Sequence, residues 1–211
     1  MRPFVLPLLI LMMTAVSCGK GTVEDPAQLH PPEPNFDQQF ANVLRGDTDR
    51  IRIEATAVSD DQLKRLAEVQ GLRELRLGTT PITDQHAMIL AAIESLEVVN
   101  LPQSQLGEEG IARIAALPKL KLLRIGSPHL NAAAVEKIAQ SKSILYLHFL
   151  HSPLTDDALP HVAKMDQLQS FYADDTKLTD EGISDLVRQR PQLHIHINDM
   201  HPEGSDPGHE H

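Results

Sequence analysis

The chain of 211 residues contains no tryptophan, one cysteine and only 3% aromatic residues. A single cysteine excludes an internal disulfide as a source of stability. The formal net charge of −10 and the few aromatic rings argue against nucleic acid as a partner, because nucleic-acid binding needs a basic footprint and commonly uses rings that stack on bases. The hydrophobic share of 41% is ordinary, so the chain can bury a core.

Motifs of known enzyme classes are also missing. The sequence has no nucleophile elbow, no metalloprotease His-Glu-x-x-His pattern, no P-loop and no dinucleotide-binding glycine pattern. Carboxylates are plentiful, but their paired occurrences stand where helices are predicted to start, and acidic residues there favour the helix dipole. We therefore predict a protein that is not an enzyme and has no cofactor.

The N-terminal region predicts export from the cell. A short basic start at Met1–Pro3 is followed by an apolar run over 4–13, and the small residues Ala15–Ser17 come directly before Cys18. The apolar run is shorter than the roughly 20 residues that span a bilayer. The pattern is typical of a signal peptide, which we place at residues 1–17.

A cysteine at the cleavage point resembles the bacterial lipoprotein signal, in which that cysteine receives lipid and becomes the new N-terminus. Here Cys18 takes the position, and Ala15 stands where leucine is usual. The resemblance implies a lipid anchor on the bacterial cell envelope, and Gly19 implies the outer membrane rather than the inner one. Ordinary secretion with a free thiol and an uncleaved anchor are the alternatives. The proline-rich composition of residues 18–34 predicts a flexible tether after the lipidated cysteine.

The middle of the chain repeats with a period of 24 residues. Aliphatic residues recur at that interval at Leu72, Leu96, Leu120, Ile144 and Leu168. A fixed period of this size predicts stacked structural units. We place the repeats at residues 48–198, a capping helix with one apolar stripe at 35–47, and a disordered, histidine-containing tail at 199–211.

Within one unit, residues 72–82 read LRELRLGTTPI, with apolar residues at the pattern L-x-x-L-x-L-x-x-N/C-x-L and Thr80 in the Asn/Cys position. Pairs such as Thr83-Asp84 then predict the start of a helix. This combination resembles bacterial leucine-rich-repeat proteins of the ribonuclease-inhibitor-like type. The resemblance implies an α/β solenoid with a parallel sheet on the concave face and helices on the convex face. It also implies a tendency to bind protein, and it supplies no catalytic residue.

Strand alternation identifies a candidate binding surface. In each predicted strand, the residue between the last two apolar positions points to the concave face. These residues form one row: Arg52, Arg76, Asn100, Arg124, His148, Tyr172 and His196. The formal charges in this row are all positive. Leu122 and Tyr146, from the neighbouring row, form an apolar patch with Val98 and Leu150, and apolar groups beside arginine are typical of protein contact centres.

We therefore predict that the row, with Leu122 and Tyr146, binds a protein partner through an acidic segment. A bland solvated surface, a spacer or self-associating role through the last strand, and metal binding by histidines are the alternatives. We assign no metal site, because His148 and His196 would lie about 10 Å apart across one strand and structural zinc favours four well-placed ligands. His194 and His196 share a strand face, and loose metal capture by the tail, which carries His201, His209 and His211, also remains an alternative.

Overall fold

The computed structural model describes residues 34–198 and 200–202. The predicted signal peptide, the predicted lipidation site Cys18, nearly all of the predicted tether and the tail beyond residue 202 lie outside the described residues. Within the part that is described, no helix has the length and apolar character needed to cross a membrane.

Strands and helices alternate along the described chain. The strands are β1 (Arg50–Ile53), β2 (Glu74–Leu77), β3 (Val98–Leu101), β4 (Leu122–Gly126), β5 (Tyr146–Leu150), β6 (Ser170–Asp174) and β7 (His194–Ile197). The helices are α1 (Phe36–Leu44), α2 (Asp60–Arg65), α3 (Asp84–Leu90), α4 (Glu108–Ala115), α5 (Ala132–Ile138), α6 (Leu159–Ala163) and α7 (Asp180–Gln189). Short 3₁₀ turns at Leu66–Glu68 and Asp156–Ala158 complete the order.

The seven strands form one parallel sheet in which their spatial order is their order in the chain. Each strand pairs with the residues 24 positions further on, as in Arg52 opposite Arg76 and Arg124 opposite His148. This is the architecture of a leucine-rich-repeat solenoid, and the predicted fold class is confirmed. We call the side of the sheet that displays the predicted row from Arg52 to His196 the open sheet face.

The opposite side of the sheet packs against the helices and builds a continuous core. The periodic aliphatic residues lie in this core: Leu72, Leu96, Leu120 and Ile144 are fully buried and Leu168 is 3% exposed. Phe149 on β5 and Phe171 on β6 meet edge to face, with ring centroids 5.8 Å apart. Because each unit buries its apolar side chains against its neighbours, the stack needs no disulfide.

Acidic residues at the helix starts connect neighbouring repeats. Thr179 is the N-cap of α7, and its hydroxyl accepts the backbone N–H of Gly182 at 3.1 Å. The carboxylate of Asp156 accepts the backbone N–H of Thr179 at 2.8 Å, and Asp84 accepts the N–H of Gly107 at the same distance. Thr179 therefore stabilises the start of α7, and Asp84 and Asp156 hold one repeat against the next.

Hydroxyl groups satisfy buried backbone at the turns after the strands. Thr80 is buried, and its Oγ1 accepts the N–H of Val58 from the preceding repeat at 2.9 Å. Where Pro128 occupies the same position in its repeat, the hydroxyl of Ser127 donates to the carbonyl of Leu106 at 2.7 Å. These two turns therefore contact the repeat before them through a short polar side chain.

Helix α1 closes the N-terminal end of the stack. Asn35 caps it by accepting the N–H of Gln38 at 3.0 Å, and Gly46, at φ +77°, adopts the left-handed conformation just after it. Phe36 and Phe40 are buried, and their rings stack with centroids 5.7 Å apart. The helix thus covers the apolar edge that the first repeat would otherwise expose.

The side chain of Gln39 completes the pairing of β1. Its Oε1 accepts the N–H of Arg52 at 2.7 Å, and its Nε2 donates to the Arg52 carbonyl at 2.6 Å. One amide side chain therefore takes the place of a neighbouring strand at the edge of the sheet.

A tight turn follows β7 at the C-terminal end. Ile197 and Met200 exchange backbone hydrogen bonds of 2.8 Å and 3.0 Å, and Asn198 takes a positive φ of 49° within the turn. Met200 therefore folds back against β7, within the stretch that the sequence interpretation assigned to a disordered tail at 199–211. Beyond residue 202, that predicted tail lies outside the described residues.

Candidate functional site

The register of the sheet places the predicted row on one line across the open sheet face. The line consists of Arg52, Arg76, Asn100, Arg124, His148, Tyr172 and His196. With strands about 4.8 Å apart, it spans roughly 29 Å. Leu122 and Tyr146 lie side by side in the neighbouring row, as the alternation of the strands predicts.

The first part of the row is organised around the carboxylate of Glu74. Arg52 donates to both of its oxygens at 2.8 Å, and Arg76 contacts it through Nε. Arg50 lies 3.6 Å from its second oxygen. The row of positive charges predicted from the sequence is therefore partly neutralised by an acid from the adjacent row. This contact could have been inferred from the sequence, because Glu74 and Arg76 are two residues apart on one strand and their side chains therefore lie on the same face.

The ionisation of Glu74 follows from these contacts. Burial alone raises the pKa of its carboxyl group, but the hydrogen bonds and charges of Arg76 and Arg52 outweigh burial, so the pKa is lower than usual. Glu74 thus stays ionised and holds both arginines in place. The guanidinium side chains remain 47% exposed at Arg52 and 36% exposed at Arg76, so they can still contact a ligand.

Arg124 organises the middle of the row. It donates to Oδ1 of Asn100 at 3.1 Å and to Nδ1 of His148 at 3.2 Å. Nε2 of His148 lies 2.7 Å from a carboxylate oxygen of Asp174. Because Nδ1 accepts from arginine, this geometry fits the tautomer in which Nε2 carries the proton and donates to Asp174.

Asn100 does not serve as the surface contact predicted from the sequence. Its side chain is buried, with 4% of the residue exposed, and its carbonyl oxygen is taken by Arg124. We assign it the role of orienting Arg124, since a buried amide needs such a partner.

The apolar patch is smaller than predicted. Val98, Leu122 and Tyr146 are neighbours in register, and Tyr146 is the most exposed of them at 40%. Leu150, in contrast, is 3% exposed and lies opposite Gly126. The patch therefore consists of three residues on adjacent strands.

Aromatic and imidazole rings occupy the last strands of the open sheet face. The ring of Tyr172 lies 5.4 Å from that of His148 and stacks on His196 at 4.7 Å with an interplanar angle of 16°. The His194 and His196 rings are 4.7 Å apart, and the ring of His201 lies 3.8 Å from that of His196.

The proximity of His201 was missed by the sequence interpretation. His194, His196 and His201 each offer a ring nitrogen, and these three nitrogens lie within 4.8 Å of one another. The interpretation considered His148 with His196, which lie two strands apart. The Asn-Asp pair at positions 198 and 199 is a turn signal that could have indicated the return of the chain.

No protein-family model matches the chain, and no curated protein matches it. Among solved structures, internalin C2 from Listeria monocytogenes strain 4b F2365 is similar, with 19% sequence identity and a TM-score of 0.49. The match covers 72% of this chain and 65% of that chain, so this chain spans slightly less than two thirds of that protein.

Proposed function

We propose that this protein is a non-catalytic recognition module that binds an acidic segment of a protein partner on the open sheet face. The observation that supports this most directly is the exposed ring of Tyr146 beside Leu122, with Arg124 two residues beyond Leu122 on β4. Tyrosine and arginine dominate the centres of protein interfaces, because they combine a large contact area with polar ends.

The surface is preformed, which favours tight binding. Strand pairing fixes the backbone, and Arg52, Arg76 and Arg124 are each held by hydrogen bonds to neighbouring side chains. The hydroxyl of Tyr146 donates to Gln169 at 3.0 Å. Since the side chains already occupy defined positions, less conformational entropy is lost when a partner binds.

The charge of the face favours an acidic partner. The three rows of the open sheet face carry these charged residues: Arg50, Arg52, Arg76 and Arg124 against Glu54, Glu74 and Asp174. Four cations against three anions leave this face slightly positive, on a chain of net charge −10. A partner segment with carboxylates would therefore be attracted to this face and repelled by the rest of the protein.

Site-specific photocrosslinking in the producing cells tests this function. A photoreactive residue at Tyr146 should yield a defined adduct, and the same residue at Met88, an exposed position on helix α3, should not. Adding Arg124→Glu to the Tyr146 probe should remove the adduct. The matched control is Lys137→Glu in helix α5, which makes the same charge change away from the sheet.

The outcome is decided by the Arg124→Glu variant. If its thermal unfolding matches that of the parent and the adduct persists, the open sheet face is not the binding surface. A common adduct from both probe positions would contradict the proposal equally, because it would indicate contact without a defined interface.

We also propose that lipid on Cys18 anchors the module to the bacterial envelope, at the outer membrane rather than the inner one. The support is the sequence order of a basic start, an apolar run and small residues before Cys18. Mass spectrometry of the mature N-terminus should find a lipid-modified Cys18, and Cys18→Ser should release the protein into the soluble fraction. An unmodified thiol at a cleaved N-terminus would support ordinary secretion instead.

A further inference from the structure

We propose that His194, His196 and His201 form a binding site for one divalent transition-metal ion that prefers imidazole ligands, with Zn²⁺ as the test ion. The site lies at the C-terminal end of the open sheet face. His196 also belongs to the row predicted to bind a partner, but the three histidines lie outside the patch of Val98, Leu122 and Tyr146. The metal site therefore does not require that partner binding occur.

Two features of the backbone bring these histidines together. His194 and His196 are two residues apart on β7, so strand alternation puts both side chains on the same face. The turn closed by Ile197 and Met200 then returns the chain along β7 and places His201 above them. Their ring centroids are 3.8 Å to 5.0 Å apart.

The separation of the nitrogens is close to what a metal ion requires. A tetrahedral zinc ion with Zn–N bonds of about 2.0–2.1 Å holds its ligand nitrogens about 3.4 Å apart. The three nitrogens lie within 4.8 Å of one another, so closure requires a movement of about 1.4 Å. His201 is exposed, and rotation of its side chain can supply this movement without a change in the sheet.

The surroundings of the three rings favour a bound ion. Tyr172 stacks on His196 at 4.7 Å and lies 6.0 Å from His194, so it limits the rotation of both rings. Arg124, the cation of the central row, is three strands away from His196, or about 14 Å. Neutral imidazoles with no adjacent arginine on the neighbouring strand suit a divalent cation.

Three protein ligands leave one tetrahedral position for water or for a ligand from outside the chain. The ion would also connect β7 to the segment that follows it, so metal binding would hold the C-terminal turn closed. This predicts that the ion stabilises the end of the stack in addition to being bound by it.

Calorimetric titration of the full chain with zinc chloride tests the site. We expect one ion per chain and a dissociation constant that rises at least about tenfold in His201→Ala, since even loss of a residue behind a ligand weakens metal sites by that factor. His196→Gln should have a similar effect and keeps a polar side chain of comparable size. His161→Ala on helix α6 and the double variant His209→Ala with His211→Ala are the controls and should leave the affinity unchanged.

Circular dichroism of each variant with excess chelator checks that the fold is retained. The proposal is overturned if zinc does not bind, or if the dissociation constant is the same in His201→Ala and His196→Gln as in the parent. Loss of binding in the His209 and His211 double variant would also overturn it, because the tail rather than the strand would then hold the ion.

Discussion

The two ends of the repeat stack are closed in different ways. At the N-terminal end, helix α1 packs Phe36, Phe40 and Val43 against the first repeat. At the C-terminal end, the described chain after β7 consists of the short turn to Met200, which is 68% exposed, and of the two residues that follow it. Terminal units of a solenoid must shield an apolar edge, and within residues 34–198 and 200–202 a helix serves this purpose at the N-terminal end alone.

At both ends, a nearby residue forms hydrogen bonds with the backbone of the edge strand. Gln39 binds the backbone of Arg52 with its amide, and Met200 exchanges two backbone hydrogen bonds with Ile197. The difference therefore lies in apolar burial rather than in hydrogen bonding. We expect the C-terminal end to open at lower free energy than the N-terminal end, because local stability follows the amount of buried apolar contact.

Among the variants at the two ends, Phe40→Ala should cause the largest loss in the free energy of unfolding. The ring is 3% exposed, stacks on Phe36 and lies 4.3 Å below the guanidinium of Arg65. Truncating a buried phenylalanine costs about 3–5 kcal/mol, and urea denaturation should show a loss of that size in the free energy of unfolding.

The matched change at the other end is Met200→Ala. Its side chain is largely exposed, so the free energy of unfolding should fall by no more than about 0.5 kcal/mol. Equal losses in the two variants would mean that the ends contribute equally, against the comparison drawn from burial.

Much of the architecture could be predicted from the sequence, because the 24-residue period determines which residues are neighbours. The row from Arg52 to His196 follows directly, since each member is 24 residues from the next. The period relates only residues of the same row, however. It does not indicate contacts between residues of different rows, such as the pairing of Glu74 with both Arg52 and Arg76.

Departures from the period were the least predictable part. Asn100 and Leu150 were both predicted to contribute to the binding surface, yet both are buried, and Arg124 takes the side-chain carbonyl oxygen of Asn100. The return of His201 depends on a single turn beyond the last repeat. Such features are set by individual side chains, and a repeat pattern carries no information about them.

Gln39→Met should have an intermediate effect, confined to the N-terminal end. The change keeps the size of the side chain but removes both hydrogen bonds to Arg52, which donates its N–H and offers its carbonyl to the amide. Because the site is exposed, water replaces part of the loss, and we expect a decrease of about 1 kcal/mol in the free energy of unfolding.

Hydrogen exchange provides the sharper measurement for this variant. The Arg52 amide should exchange faster in Gln39→Met, while the Ile197 amide at the other end should be unchanged. Acceleration at both amides would indicate global destabilisation rather than loss of a local edge contact.

The smallest expected effect concerns charge, which also differs between the two halves. A ladder of alternating charges, Asp49, Arg73, Glu97 and Lys121, runs beside the first four strands. The equivalent positions beside the next two strands are the uncharged Leu145 and Gln169. Acid should therefore weaken the N-terminal half more than the C-terminal half.

The pKa of the Glu97 carboxyl group determines the pH range in which acid should weaken the N-terminal half. Hydrogen bonds from Arg73 and Lys121 lower the pKa of its carboxyl group from 4.5 to about 2. A carboxyl group with a lowered pKa in the folded state stabilises the fold above its unfolded pKa, and this contribution is lost as the pH falls through the folded value. Stability should therefore decline between about pH 4.5 and pH 2.

Glu97→Gln should flatten the decline measured by urea denaturation across that range. The change in slope should be small, since the side chains of Arg73 and Lys121 are more than half exposed and solvent screens such pairs. Gln169→Met, three repeats further on, removes no titrating group and should leave the slope as it is. If Glu97→Gln left the acid profile unchanged as well, the ladder would contribute nothing to stability, and the two halves would differ in burial alone.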